Sequence, residues 1–279
     1  MGSINSSGSG GRQEEAYSIV TDSQKNIYLL SVVGSPNIDF DGHPDENYEP
    51  SSTNFDIALV SFSCDGSFRW SKIIGSASRE DFDNLVIDSQ DNIYLAGKFG
   101  SYSDLSAPQH IDDDVTMSTD PPDYSMLVIM KFNNAGVLQW YKKPEPNDQS
   151  FFNKSLSSRL EIDANNNLYW LVALSQPGTY ADGAFTVNDI SKLWHVLKYN
   201  SSGDFVSNIV LDLRTPSTFG SMKFYRNPYN QNLFVSGRSL GDANSTWAIV
   251  GTEPVTHSMF VGCFAPNGQV AVVNRLVKL

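Results

Sequence analysis

Four times along the chain an aromatic residue stands four positions ahead of a glycine, at the end of an apolar run. The pairs are Phe62 and Gly66, Phe132 and Gly136, Tyr199 and Gly203, and Phe264 and Gly268. The glycines fall 70, 67 and 65 residues apart. A fixed period of this size marks one supersecondary unit used four times. Repeated residues build a repeated core, so function is sought where the copies differ.

Each copy carries four short β-prone runs. They are 16–21, 26–33, 55–62 and 67–74 in the first copy, and 82–87, 92–98, 125–132 and 137–142 in the second. The third has 158–162, 167–174, 193–199 and 204–211, and the fourth 221–225, 232–238, 257–264 and 269–278. Val, Ile, Tyr, Phe and Trp dominate these runs, and no long helical periodicity occurs, so the chain reads as all-β. A polar turn joins the first two runs: Asp22 to Asn26, Asp88 to Asn92, Asp163 to Asn167, with Pro228 in place of the Asp in the fourth copy. Asx side chains bond turn backbone and Asn tolerates positive φ, which predicts hairpins. A calcium loop would need about six to eight clustered oxygen ligands, which these turns lack.

The third run reads apolar on both sides. Leu59, Ile129, Val196 and Val261 lie three positions before the aromatic residue; Val60, Met130, Leu197 and Gly262 lie two before it. Alternate residues face opposite sides of a sheet, so both faces are covered. A sheet covered on both sides by copies of itself is a propeller blade or a member of a stacked array. His195 stands where the other copies have Ala58, Val128 and Phe260, and is expected in the core or half-buried. Cys64 and Cys263 make no disulfide framework. They read as two separate small buried residues, a bridge between the first and last copies being the alternative.

The run Asp88-Ser-Gln-Asp-Asn-Ile-Tyr-Leu-Ala-Gly97, the run Asp56 to Phe62 followed by Asp65-Gly66, Trp70 and Ile74-Gly75, and the acidic link Arg79-Glu-Asp-Phe-Asp83 together resemble the SBBP-type β-propeller repeat. The likeness spans roughly residues 16–279 and is stronger in the first two copies; Trp70 and Trp140 become Ser207 and Val272 in the others. It implies an all-β propeller of about four four-stranded antiparallel blades, near 16–76, 82–145, 155–212 and 220–279. The Gly- and Ser-rich composition ahead of them is expected to give a flexible arm over 1–15. It implies a non-catalytic module, mostly of surface, secreted or phage-like proteins, and carries over no catalytic residue. The chain runs from a first strand to a fourth strand, so no terminal strand is left to complete another blade. Closure is then expected from packing between first and last copies, from a longer parent chain or from neighbouring subunits.

Net charge is −12, without the clustered Lys and Arg of a phosphate-backbone binder, so nucleic acid and anionic membranes are not expected partners. No apolar stretch approaches the roughly 18 residues of a membrane span. Residues 1–11 show no signal-peptide core. No Gly-x-Ser-x-Gly, His-Glu-x-x-His or phosphate loop occurs, so no enzyme is expected.

Between second and third runs lie long loops, about 34–54, 99–124, 175–192 and 240–256, expected on one face. Loops this long and variable form the candidate binding surface. Its candidate ligand or partner residues are Asp39, Asp41, Asp45, Tyr48, His110, Asp112, Asp113, Tyr180 and Trp247. Asp39, Asp41 and Asp45 are a conceivable Ca²⁺ set, with a solvated acidic loop the simpler reading; no other cofactor is expected. Tyr and Trp beside carboxylates suit a sugar, or pin the loop. The expected role is a structural or attachment module of an extracellular, cell-surface or virion assembly, with protein partners that include copies of itself; a glycan-binding propeller is the alternative.

Overall fold

The computed structural model describes residues 4–5, 15–34, 38–44, 55–75, 80–99, 109–112, 115–117, 126–144, 156–215, 222–238, 248–255 and 259–274. Among these, all regular structure is strand. A short β1 (Ile4–Asn5) precedes the first copy. That copy then gives β2 (Ala16–Thr21), β3 (Ile27–Gly34), β4 (Asp39–Phe40), β5 (His43–Pro44), β6 (Phe55–Phe62) and β7 (Phe68–Ile74). The second gives β8 (Asp81–Ile87), β9 (Ile93–Phe99), β10 (Gln109–Asp112), β11 (Val115–Met117), β12 (Met126–Phe132) and β13 (Leu138–Lys142). The third gives β14 (Leu156–Ile162), β15 (Leu168–Ala173), β16 (Gly178–Tyr180), β17 (Phe185–Val187), β18 (Trp194–Tyr199) and β19 (Phe205–Val210). After β20 (Leu213–Arg214), the fourth gives β21 (Met222–Arg226), β22 (Leu233–Arg238), β23 (Ala248–Val250), β24 (Glu253–Val255), β25 (Met259–Phe264) and β26 (Val270–Asn274).

The expected strands pair as four antiparallel four-stranded sheets: β2-β3-β6-β7, β8-β9-β12-β13, β14-β15-β18-β19 and β21-β22-β25-β26. The chain divides into two compact units, Met1–Asn153 and Lys154–Leu279, each holding two of these sheets. In the first unit, alternate residues of β6 (Ile57, Leu59) and of β12 (Val128, Met130, Phe132) bury one shared core. The opposite face of β6, with Ala58, Val60 and Phe62, buries Phe40 and Ile38. In the second unit Trp194 and Val196 of β18 share a core with Phe224, Val235 and Phe264.

The aromatic–glycine pair has a conformational cause. Each glycine ends a turn in which its N–H returns to the carbonyl three residues back, as Gly66 does to Ser63 at 2.9 Å. The four have φ of 88°, 80°, 83° and 84°. That left-handed corner suits glycine and turns the chain into the next strand. At the aromatic residue every third strand shows the same register shift against the fourth: Phe62 faces Phe68, Phe132 faces Leu138, Tyr199 faces Phe205 and Phe264 faces Val270. One extra residue sits on each fourth strand, a conserved offset that bends it.

Two glycines have a second duty. A Cβ on Gly136 would lie 2.7 Å from the Trp70 ring, and one on Gly268 would lie 2.1 Å from the Val210 carbonyl oxygen. Within each unit the second sheet's turn thus sits against the first sheet's last strand. Trp70 Nε1 and Arg69 Nη2 both donate to the Asn134 carbonyl of that turn, at 3.0 and 3.1 Å.

The Asp-to-Asn turns close as expected, with one correction. The left-handed residue is the one before the Asn: Lys25, Asp91, Asn166 and Gln231 have φ of 66°, 62°, 61° and 65°. In the fourth sheet Asn227, and not Pro228, holds the Asp position, because Asn227 N–H donates to the Asn232 carbonyl across a turn one residue longer. His195 is buried as expected, 2% exposed, with Nδ1 2.9 Å from Asn208 Oδ1. Burial depresses its pKa against the opposing hydrogen bonds with the Asn208 side chain and the Lys192 backbone. Cys64 and Cys263 are both free thiols, but Cys64 is exposed, not buried, at the tip of a turn.

Candidate functional site: the long-loop hairpins

The long loops share a structure that their sequences hide. Each holds a small antiparallel hairpin: β4–β5, β10–β11, β16–β17 and β23–β24. In the first, Phe40 faces His43 across Asp41 and Gly42, whose φ values of 59° and 85° suit a two-residue hairpin turn. Each hairpin is anchored by apolar residues at or near full burial: Phe40, Ile111 with Met117, Tyr180 with Val187, and Val250 with Val255.

The candidate residues that fall in these hairpins have structural partners. Asp39 Oδ1 accepts the Gly42 N–H at 2.7 Å and fixes the turn. Asp41 occupies its exposed left-handed corner, and the neighbouring His43 ring stacks on Phe68 with centroids 4.4 Å apart. His110 exchanges two backbone hydrogen bonds with Gly75, at 2.8 and 3.1 Å. Asp112 binds Lys72 Nζ at 2.6 Å and accepts the Leu138 N–H at 3.2 Å, joining the hairpin to both sheets of its unit. Tyr180 is buried, donates to the Gln176 carbonyl at 2.8 Å, and stacks on Phe185 at 5.5 Å. Asp45, Tyr48, Asp113 and Trp247 lie outside the described residues. No group of three or more His, Cys, Asp or Glu is placed to hold a metal ion among the described residues.

Near the first unit's hairpins lie buried polar residues, and the sequence motifs that include Asp56 and Glu80 do not mark either as buried. Asp56, Glu80 and Gln109 are fully buried and Lys98 nearly so. A Cβ on Gly75 would lie 2.1 Å from Asp56 Oδ1, so the glycine leaves room for that carboxylate. The spacing of these four residues in sequence gives no signal that they are buried.

At the opposite end of three sheets a polar set repeats. Asp88 accepts from the Asn92 amide and N–H and from the Tyr94 hydroxyl at 2.8 Å, while Lys131 Nζ lies 5.2 Å from the Tyr94 ring centre. Asp163, Asn167, Tyr169 and Lys198 repeat this arrangement, and Arg226 lies 4.4 Å from the Tyr169 ring centre. In the first sheet Ser61 replaces the Lys, and Arg69 supplies the cation, donating to Tyr28 and Ser61 at 3.0 and 2.8 Å. Burial raises the carboxyls of Asp22, Asp88 and Asp163, but their hydrogen bonds outweigh it and hold all three below the usual range. Burial, with the adjacent carboxylate, pushes the Tyr94 phenol up. In the fourth sheet the Asp, Tyr and cation positions change to Asn227, Phe234 and Cys263, and the retained Asn232 donates its Nδ2 to Cys263 Sγ at 3.7 Å. The Asp–Tyr spacing of six was the available sequence signal.

No family model matches the chain, and no curated protein does. Among solved structures, a protein of unknown function from Bacteroides caccae is similar at 10% identity over 92% of this chain and 80% of that one, with a TM-score of 0.38.

Proposed function

We propose that the four sheets are blades of an SBBP-type β-propeller, and that the chain is a non-enzymatic structural or attachment module of a larger extracellular, cell-surface or virion assembly. Its partners are proteins, copies of itself among them. The observation that carries this reading is the edge strand β19. It ends its sheet and exposes Val206 and Val210, at 49% and 38%. An edge strand carrying exposed β-branched residues is a template for another chain, and lysine on such an edge blocks pairing. The engagement of Asp39, Asp112 and Tyr180 in turn, ion-pair and packing contacts agrees with a scaffold role for the hairpins.

Light scattering over a concentration series tests the assembly role. The wild-type chain should gain mass with concentration, and a Val206→Lys/Val210→Lys variant with an unchanged melting temperature should stay monomeric. Equal masses for both chains at every concentration would refute it. An experimental structure in which the four sheets do not surround one axis would refute the propeller.

A further inference from the structure

The strand β1 comes from the segment ahead of the first sheet, yet it pairs in a position that other strands fill elsewhere. Ile4 stands opposite Phe40 and Asn5 opposite Asp39. On the fourth copy's hairpin, Leu213 stands opposite Val250 and Arg214 opposite Ile249. Phe40 and Val250 each directly precede the two-residue turn of their hairpin, so the two registers are the same. In the second copy the β10 edge is met by Gly75 through its two hydrogen bonds to His110.

The suppliers differ in origin. Gly75 follows β7 and β20 follows β19, so each comes directly after the last strand of a neighbouring sheet in its own unit. β1 instead comes ahead of the first strand of its own copy's sheet, and is tied to β2 through residues 6–14, six of which are Gly or Ser. The β4 edge is therefore a place that receives a strand from outside its own sheet. Its ladder is made of backbone, which does not distinguish one chain's segment from another's.

We propose that the β4 edge is a strand-docking site for the leading segment of a second copy of this chain, so that β1 exchanges between copies. The inference rests on the assembly role proposed above, which brings copies close together. Exchange keeps every contact and changes only the tether, which makes it a low-cost route to association. A short Gly/Ser-rich tether corresponds to an effective concentration in the millimolar range for its own segment, so exchange competes once copies reach about that concentration.

Disulfide trapping tests the exchange. Opposed Cα atoms of an antiparallel pair lie about 4.5–5.5 Å apart, within reach of a disulfide. In a Cys64→Ser/Cys263→Ser background, one chain carries Asn5→Cys and another Asp39→Cys, and the two are mixed and oxidised. The interchain product should rise from a few per cent at about 10 µM to about half the chains near 1 mM. An Asn230→Cys chain in place of the Asp39→Cys chain, an exposed control, should give none of this rise. The Asn5→Cys/Asp39→Cys double variant in dilute solution should close within one chain, which also reports that the hairpin still folds. No interchain product above the control near 1 mM would overturn the exchange, and failure of the double variant to close would overturn the register beneath it. The Val206 and Val210 variant leaves the leading segment untouched, so failure of the edge reading is seen separately.

Discussion

Replacing Gly136 with alanine separates two causes that the same glycine serves. The backbone cause is its φ of 80°, where a Cβ costs about 1–2 kcal/mol. Alanine also restricts the unfolded chain and returns about 0.4–1 kcal/mol, leaving about 1 kcal/mol net. The packing cause is specific to this position, because the new Cβ would lie 2.7 Å from Trp70 Cδ2 and 2.9 Å from Cε3. The indole cannot simply retreat, since its Nε1 is bonded to Asn134 in the same turn. Forcing such a contact adds about 1–3 kcal/mol. Gly42 is the control: it lies in the same unit, its φ is 85°, and a Cβ there meets nothing within 4 Å. Urea unfolding followed by circular dichroism should therefore show Gly136→Ala costing about 2–4 kcal/mol and Gly42→Ala about 1 kcal/mol. In a Trp70→Ala background the Gly136 penalty should fall to the Gly42 value. Equal costs at the two glycines, or a Gly136 penalty unchanged by removing the indole, would refute the reasoning.

Asp88→Asn should destabilise the chain by about 1–3 kcal/mol, and adding Tyr94→Phe should cost less than the sum of the single changes in a double-mutant cycle, because both partners then leave together. Since the Asp88 pKa is depressed on folding, its contribution is present above the unfolded value near 4 and lost as pH falls through the folded value, so the wild-type advantage over Asp88→Asn should vanish in acid-unfolding curves. His195 works in the same direction at higher pH: burial holds its folded pKa below the ordinary 6.5, the unfolded chain binds the proton better, and stability should drop as pH falls below about 6.5, by at most about 1.4 kcal/mol per pH unit. His195→Gln should flatten that slope in pH-dependent thermal melts. Asp112→Ala should remove the ion pair to Lys72 and the acceptor of the Leu138 N–H and cost about 2 kcal/mol, while Lys72→Met/Asp112→Leu recovers most of it in chemical unfolding.

The sheet strands were legible because apolar alternation, Asp-to-Asn turns and aromatic–glycine pairs all marked the same boundaries. Even the alignment of Trp70, Trp140, Ser207 and Val272 holds, since each faces the residue just before the aromatic: Ser61, Lys131, Lys198 and Cys263. The loop hairpins were not legible, because strands of two to four residues show too little alternation to be counted. Asp41-Gly42 was a readable turn signal, yet the acidic residues around it drew the reading toward ligands. Asp112 looked like a free carboxylate because its partner Lys72 lies forty positions away in sequence, on another sheet. Tyr180 looked like an exposed loop aromatic, since three residues of β16 cannot announce burial.

The shared hydrogen-bond closure of the Asp-to-Asn turns has a consequence for the gene. Asp22, Asp88 and Asp163 each donate their N–H to the carbonyl of the Asn four residues on. A genetic crossover inside any two of these turns would join the first strand of one sheet to the second strand of another without shifting either ladder. Such a chain can lengthen or shorten by whole sheets, in steps of the 66 or 75 residues that separate neighbouring turns of this set. The fourth turn, one residue longer, would resist that exchange, so duplications are expected to begin and end among the first three.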